Sequence, residues 1–139
     1  MVQAVSGYPL TVYGRGGQTR GYINIRDTLA CVELSVINPP MNSELRIFNQ
    51  ITETFSVNEL AEKVATVGKQ LGFDVKIKCI ENPRKEMEEH YYNPAYSGLK
   101  ELGLYPNYLT DEVMATMFEK VIKYKDNIQE HKIFRGVRW

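Results

Sequence analysis

Apolar residues along this chain fall into helical and strand-like periods in alternation. Leu29, Val32, Glu33 and Val36 stand at helical spacing, Asp27 or Thr28 offers an N-cap, and Pro39-Pro40 ends the run. Before it, residues 10–13 and 22–25 are short apolar stretches around a glycine-rich turn, the pattern of a hairpin with a solvated tip. LRIFN at 45–49 predicts a short buried strand. Ser56 opens SVNE, a capping box with Glu59. Val57, Leu60, Ala61, Val64, Val67 and Leu71 then make one stripe that Gly72 stops. DVKIKCI at 74–80 alternates as a half-buried strand does. SGLKEL at 97–102 predicts a short helix closed by Gly103, and 106–110 a turn. The last helix is expected over 111–125. There Val113, Met117, Val121 and Tyr124 form one row with Met114, Phe118 and Ile122 beside it, together a broad face to bury. The order hairpin, helix, strand, helix, strand, loop, helix, helix predicts a small α/β arrangement over one domain, residues 1–139.

Composition narrows the function classes. With 17 basic and 17 acidic residues the 139-residue chain has no formal net charge, which argues against broad electrostatic capture of nucleic acid or an anionic membrane. No apolar run approaches the ~18 residues of a membrane span. The opening MVQAVSGYPL lacks the charged start and long apolar run of a signal peptide. Cys31 and Cys79 have no histidine or second cysteine at metal-ligand spacing and are expected to be reduced and buried. A cytoplasmic location is expected, or the plastid stroma in a plant or alga, with no metal.

No dinucleotide fingerprint, nucleophile elbow, C-x-x-C or H-E-x-x-H occurs, and His90 and His131 are far apart, so no catalytic residue is assigned and the chain alone is expected to be inactive. Two segments instead suit binding. In YPLTVYGRGGQTRGYINIRDT at 8–28, open backbone near Gly14 can meet a base edge, and the Arg20 guanidinium gives forked recognition of phosphate oxygens. Tyr13 and Tyr22 can stack on a base or donate to an oxygen, and Gln18 can bond to base or sugar. In ENPRKEMEEHYYNP at 81–94, Arg84 suits phosphate, and Glu86, Glu88, Glu89 and His90 suit sugar hydroxyls. The glutamates read equally as a solvated acidic patch, Tyr91 and Tyr92 as packed rings with polar tips, and Arg26 with Asp27 as a local ion pair.

The run Val12-Tyr13-Gly14, the glycine-rich turn and Arg20-Gly21-Tyr22-Ile23-Asn24-Ile25-Arg26-Asp27 resembles the C-terminal half of the extended short-chain dehydrogenase/reductases that act on nucleotide sugars, the NAD-dependent epimerase/dehydratase family. Arg84, Glu86 or Glu88 and residues 100–103 match the later part of the family signature. GGQTRGYINIRDT at 16–28, FNQITETFSVNELA at 48–61 and NPRKEMEEHYYN at 82–93 are similar to the branch that makes a sulfonated sugar from UDP-glucose and sulfite.

The resemblance covers nearly the whole chain. It implies a UDP-glucose-binding part whose NAD-binding Rossmann half, with the catalytic Tyr-x-x-x-Lys, is absent from this sequence: a fragment or split subunit. The backbone of Thr11, Val12, Tyr13 and Gly14 would meet uracil. Arg20 and Arg84 would hold the diphosphate with support from Tyr22, while Gln18, Glu88, His90 and Tyr91 would lie near ribose or hexose. One departure is Met87, where the family spacing after Arg84 has an acid. NAD is expected on the missing half and not on this chain. The implied partners are UDP-glucose, that half in cis or in trans, and a second copy, since faces made for the Rossmann half would be exposed and favour self-association. Fragments of epimerases or dehydratases, and non-catalytic UDP-sugar-binding subunits, are the alternatives.

Overall fold

The stripe at 57–71 forms the helix its period requires. A computed structural model describes residues 1–82, 94, 95 and 97–133. Its elements are α1 (Val2–Val5), β1 (Leu10–Tyr13), β2 (Thr19–Tyr22), α2 (Ile25–Ile37), β3 (Glu53–Ser56), α3 (Val57–Gln70), β4 (Ile77–Ile80), α4 (Gly98–Glu101), α5 (Asp111–Lys123), a 3-10 turn (Lys125–Asn127) and α6 (Glu130–Ile133). The class is α/β, as the alternation of periods indicates. The chain divides into two units, one of Met1–Gly17, Val57–Lys85 and Thr110–Trp139, the other of Gln18–Ser56 and Glu86–Leu109.

In the first unit, α3 packs on β1, β4 and α5. Ala61, Val64, Ala65, Val67 and Gly68 are its buried residues. At Gly68 an added Cβ would stand 2.6 Å from Val75 and 3.2 Å from Phe118, so the absence of a side chain lets α3 and α5 approach closely. Gly72 ends α3 where expected: its N–H donates to Lys69 O and that of Phe73 to Gly68 O (3.0 and 2.9 Å), a Schellman closure. Phe73 then stacks on Phe118 at 5.9 Å between ring centroids. The helix α5 is capped by the Thr110 hydroxyl, which accepts from Val113 N. Its buried face is narrower than the expected pair of rows. Met114 and Phe118 are fully buried where α5 packs on α3 and α1, whereas Met117, Ile122 and Tyr124 are exposed.

The expected hairpin does not form. β1 pairs with β4 in parallel, Leu10 opposite Ile77 and Tyr13 opposite Ile80. β2 pairs with β3 in antiparallel fashion, Thr19 opposite Ser56 and Tyr22 opposite Glu53. Leu10 and Val12 are buried residues of the unit that holds α3, and β4 follows α3 in that unit. Burial, not proximity in sequence, selects the partner. β4 is shorter than 74–80, and Cys79 is exposed rather than buried. Both cysteines are free.

In the second unit, α2 starts earlier than predicted. Asn24 Oδ1 accepts from Arg26 N at 3.0 Å and is the cap. Asp27, one of the two expected caps, is instead fully buried and accepts from Asn107 N (2.9 Å) and Nδ2 (2.5 Å). Neither a cap nor an ion pair with Arg26, it pins the segment that follows α4. Nearby, Glu53 Oε1 accepts from Leu109 N at 2.6 Å. In place of the expected turn, 106–110 is therefore an irregular connection held by two carboxylates. Cys31, Leu99 and Leu104 form the core of this unit, with Ile23, Ala30, Leu34 and Phe48 against it. Burial, and secondarily the Asp27 charge, push the Cys31 thiol up from its usual pKa, keeping it protonated and inert.

The row Leu29, Val32 and Val36 is exposed, opposite this core. Segment 45–49 is not in a ladder, because no strand lies beside it among the described residues. Its alternation survives in part: Phe48 packs inward, while Leu45 and Ile47 are exposed.

Replacing Asp27 by Ala leaves the Asn107 donors without their charged acceptor. We expect a loss of about 1.5–3 kcal/mol in urea unfolding, against less than about 0.5 kcal/mol for the exposed Arg26→Ala.

Candidate functional site

The end of β1 runs into a turn in which Gly14 (φ +63°) and Gly16 (φ +69°) take left-handed conformations that other residues rarely adopt. Gly16 has a second constraint. A Cβ there would collide with the Asn58 side chain and stand 2.6 Å from Val12 Cγ1. Asn58, the second residue of α3, fastens the turn: its N–H donates to Gly16 O (3.0 Å) and its Nδ2 to Arg15 O (2.8 Å). One of the unpaired N–H groups at the helix start is thereby satisfied by the turn, and the turn is held against α3. Residue typing alone gave Asn58 no part in the site; the signal was an amide two places after the capping Ser56, three residues of sequence that bring a donor back to the glycines.

Pairing parity sorts the β1 backbone. Leu10 N donates to Lys76 O (2.7 Å) and Gly14 N to Ile80 O (2.8 Å), so the even residues face β4. Thr11 and Tyr13 therefore turn their backbone groups to the opposite edge. There Thr11 N donates to Gln3 Oε1 (3.1 Å) while Gln3 Nε2 donates to Thr11 Oγ1 (2.9 Å). Of the four residues expected to meet a base, Val12 is buried in the core, and the N–H groups of Thr11 and Gly14 are engaged within the protein. Tyr13, with an exposed ring, carries its N–H and C=O on the edge facing away from β4.

In the second unit, β2 carries Arg20 and Tyr22 two residues apart, hence on one face of the β2–β3 ribbon. Phe55 is opposite Arg20 and Glu53 opposite Tyr22. The Tyr22 and Phe55 rings lie 5.8 Å apart, tilted at 53°. Arg20 is exposed, and its Nη1 donates to Thr19 O at 2.8 Å. On the other face Gly21 leaves room for Ile51, whose Cδ1 would be 2.7 Å from a Cβ at that position. Gln18 is half-buried at the start of this unit. Arg84, Glu88, His90 and Tyr91, with Glu86, Glu89 and Tyr92, lie outside the described residues. Among the described residues no three His, Cys, Asp or Glu stand together as metal ligands, and no helix is long and apolar enough to cross a membrane.

The glycine-rich turn is filled beside Gly16 and open beside Gly17. In a pyrophosphate cradle the space beside the glycines is open and backbone N–H groups point into it. Here Asn58 and Val12 fill the space beside Gly16.

The fold is similar to part of two solved sugar-nucleotide epimerases. The chain is similar to the UDP-glucose 4-epimerase of Thermotoga maritima, solved with UDP-glucose, at a TM-score of 0.66 and 22% identity over 91% of this chain and 38% of that one. It is also similar to the UDP-N-acetylglucosamine 4-epimerase of Methanobrevibacter ruminantium, solved with UDP-N-acetylmuramic acid, at a TM-score of 0.62 and 19% identity over 91% and 37%. These likenesses are of fold: an α/β arrangement that this chain shares with part of each of those enzymes.

Sequence relatives are more particular. The chain is 49% identical over 138 residues to the chloroplastic UDP-sulfoquinovose synthase of Spinacia oleracea, and 43% identical over 140 residues to the UDP-sulfoquinovose synthase of Sulfolobus acidocaldarius. Each match covers 99% of this chain but only 29% and 36% of the relatives, so the chain spans about a third of their length. Nearly every residue is thus homologous to part of UDP-sulfoquinovose synthase. No family model matches the chain.

Gly16→Ala meets both the positive φ and the Asn58 side chain. We expect a cost of about 1–3 kcal/mol, with amide shifts concentrated at residues 14–18 and 57–59. A loss without those shifts would place the strain elsewhere.

Proposed function

We propose that this chain is the UDP-glucose-binding portion of a UDP-sulfoquinovose synthase, the enzyme that forms UDP-sulfoquinovose from UDP-glucose and sulfite in sulfolipid or sulfated-glycan biosynthesis. The observation that carries this reading is identity of 49% and 43% to two such synthases along 99% of the chain. The chemistry of the described residues supports it. The N–H and C=O of Tyr13, side by side on a strand edge, complement the acceptor and donor of the uracil imide. The Tyr13 ring beside them is exposed and available to stack.

Arg20 supplies a forked, permanently charged donor for a diphosphate oxygen. Tyr22, on the same ribbon face, supports it through the ring of Phe55. Gln18, Arg84, Glu88, His90 and Tyr91 complete the assignment toward phosphate, ribose and hexose. NAD, when bound, supplies a reversible hydride acceptor for the glucose ring. Because this chain carries no dinucleotide fingerprint and matches only 29% and 36% of the synthases, we assign NAD to the portion that it does not match. The work of this chain is then to hold the uridine diphosphate and so fix the position of the hexose.

An amide NMR titration tests this. UDP-glucose should give saturable shifts at 11–14, 18–22 and 84–91 with a Kd on the order of 1 mM, and ADP-glucose should give none. Arg20→Ala should weaken UDP-glucose binding by about tenfold or more, the loss of one charged hydrogen bond. Absence of shifts in a folded sample at several millimolar UDP-glucose would refute the assignment.

A further inference from the structure

The even residues of β1 face β4, and Thr11 and Tyr13 turn their main-chain groups the other way. Along that outer edge the polar groups follow in the order Thr11 N–H, Thr11 C=O, Tyr13 N–H and Tyr13 C=O. The two N–H groups stand about 7 Å apart, two residues of strand rise. A strand edge of this kind is a template for another strand, which would use both residues. A planar base uses one N–H and one C=O. What separates the two uses is the state of Thr11.

Thr11 is held by Gln3. Thr11 N donates to Gln3 Oε1 (3.1 Å), and Gln3 Nε2 donates back to Thr11 Oγ1 (2.9 Å). One side-chain amide therefore fixes both the main chain and the side chain of Thr11. Both bonds are partly buried and so partly shielded from competing water. Gln3 is itself anchored. It lies in α1 next to the buried Ala4 and Val5, and its C=O accepts from Tyr8 N at 2.8 Å. The helix α1 also packs on α5. Two strands alone make a marginal sheet, and among the described residues β1 and β4 form a sheet of two. The hold on the outer side of β1 thus comes from a side chain.

We propose that Gln3 is a positioning residue for nucleotide recognition: its amide closes the outer edge of β1 at Thr11 and leaves Tyr13 as a one-residue edge that takes a flat pyrimidine imide and not a strand. This rests on the function proposed above. Gln3 acts through Thr11, not on the nucleotide. Two hydrogen bonds to one rigid ring tolerate little twist of the strand, since each weakens as its angle closes. Fixing Thr11 fixes the direction of the next outward N–H and C=O.

The test is UDP-glucose titration of the full chain and of variants, followed by amide NMR. Gln3→Ala removes both bonds to Thr11. Gln3→Glu has the same shape and keeps them, because its carboxylate accepts from Thr11 N and from the Thr11 hydroxyl. Thr110→Ala removes the cap of α5, in the same unit, and lowers stability without touching β1. We expect the Kd to rise about fivefold to tenfold in Gln3→Ala, to return near the unsubstituted value in Gln3→Glu, and to stay unchanged in Thr110→Ala. Thr11→Val deletes one bond of the two while keeping a β-branched residue in the strand. It should give a smaller rise, and it serves in place of Gln3→Ala if that variant does not fold. An unchanged Kd in the folded variants overturns the role of Gln3 and leaves the nucleotide reading standing. So does an equal rise in Thr110→Ala, or a Gln3→Glu chain as weak as Gln3→Ala. Absence of binding by the unsubstituted chain overturns the nucleotide reading, and this role with it.

Discussion

The first unit depends on the clasp between Asn58 and the turn at Arg15-Gly16. β1 ends in two left-handed glycines, a conformation that would be mobile if left to itself. The Asn58 main chain and side chain each take a carbonyl of the turn, so the C-terminal end of β1 and the N-terminal end of α3 become one fixed corner. With β4 holding the even residues of β1 and Gln3 closing on Thr11, the strand presents one residue, Tyr13, with its backbone groups directed away from β4 and its ring exposed. A filled core and these four hydrogen bonds thus fix the orientation of that edge.

The second unit solves a similar problem with carboxylates. Asp27 and Glu53 each accept from main-chain N–H groups of the 107–109 segment, and Asp27 takes the Asn107 amide as well. A buried carboxylate is tolerable only when its oxygens are satisfied, and both Asp27 oxygens are. The consequence reaches β2: Glu53 stands opposite Tyr22 in the ribbon, so the residue that pins the connection also borders the face carrying Arg20. This arrangement ties the ribbon face carrying Arg20 to the 107–109 connection.

The helix α2 is apolar on two opposite sides. Its inner side is accounted for by Cys31, Leu34 and their neighbours, while its outer apolar row and the outward residues of 45–49 are not. Helical and strand periodicity report which side chains are to be covered, without stating whether the cover belongs to the same chain. That is why the row at Leu29, Val32 and Val36 read as the buried face of a helix and 45–49 as a buried strand, although that row and the outward Leu45 and Ile47 are solvent-exposed in this structure.

The sequence by itself determined the local elements and their class. Period and punctuation placed α3 up to Gly72, α4 before Gly103 and α5 from Thr110, because caps, left-handed glycines and an i, i+3, i+4 stripe act within a few residues. The words at 16–28, 48–61 and 82–93 pointed to the relatives at 49% and 43% identity. Tertiary structure decided strand partners, caps in competition and the roles of single polar residues. Whether β1 pairs with its neighbour β2 or with distant β4 depends on which pairing buries Leu10 and Val12, and no local pattern encodes that. Asp27 and Asn24 are both adequate caps in isolation. The choice fell to Asn24 because Asn107, 80 residues away in sequence, offers Asp27 two donors in the core. Such long-range hydrogen bonds and burial are properties of the assembled unit, and only its packing could assign them.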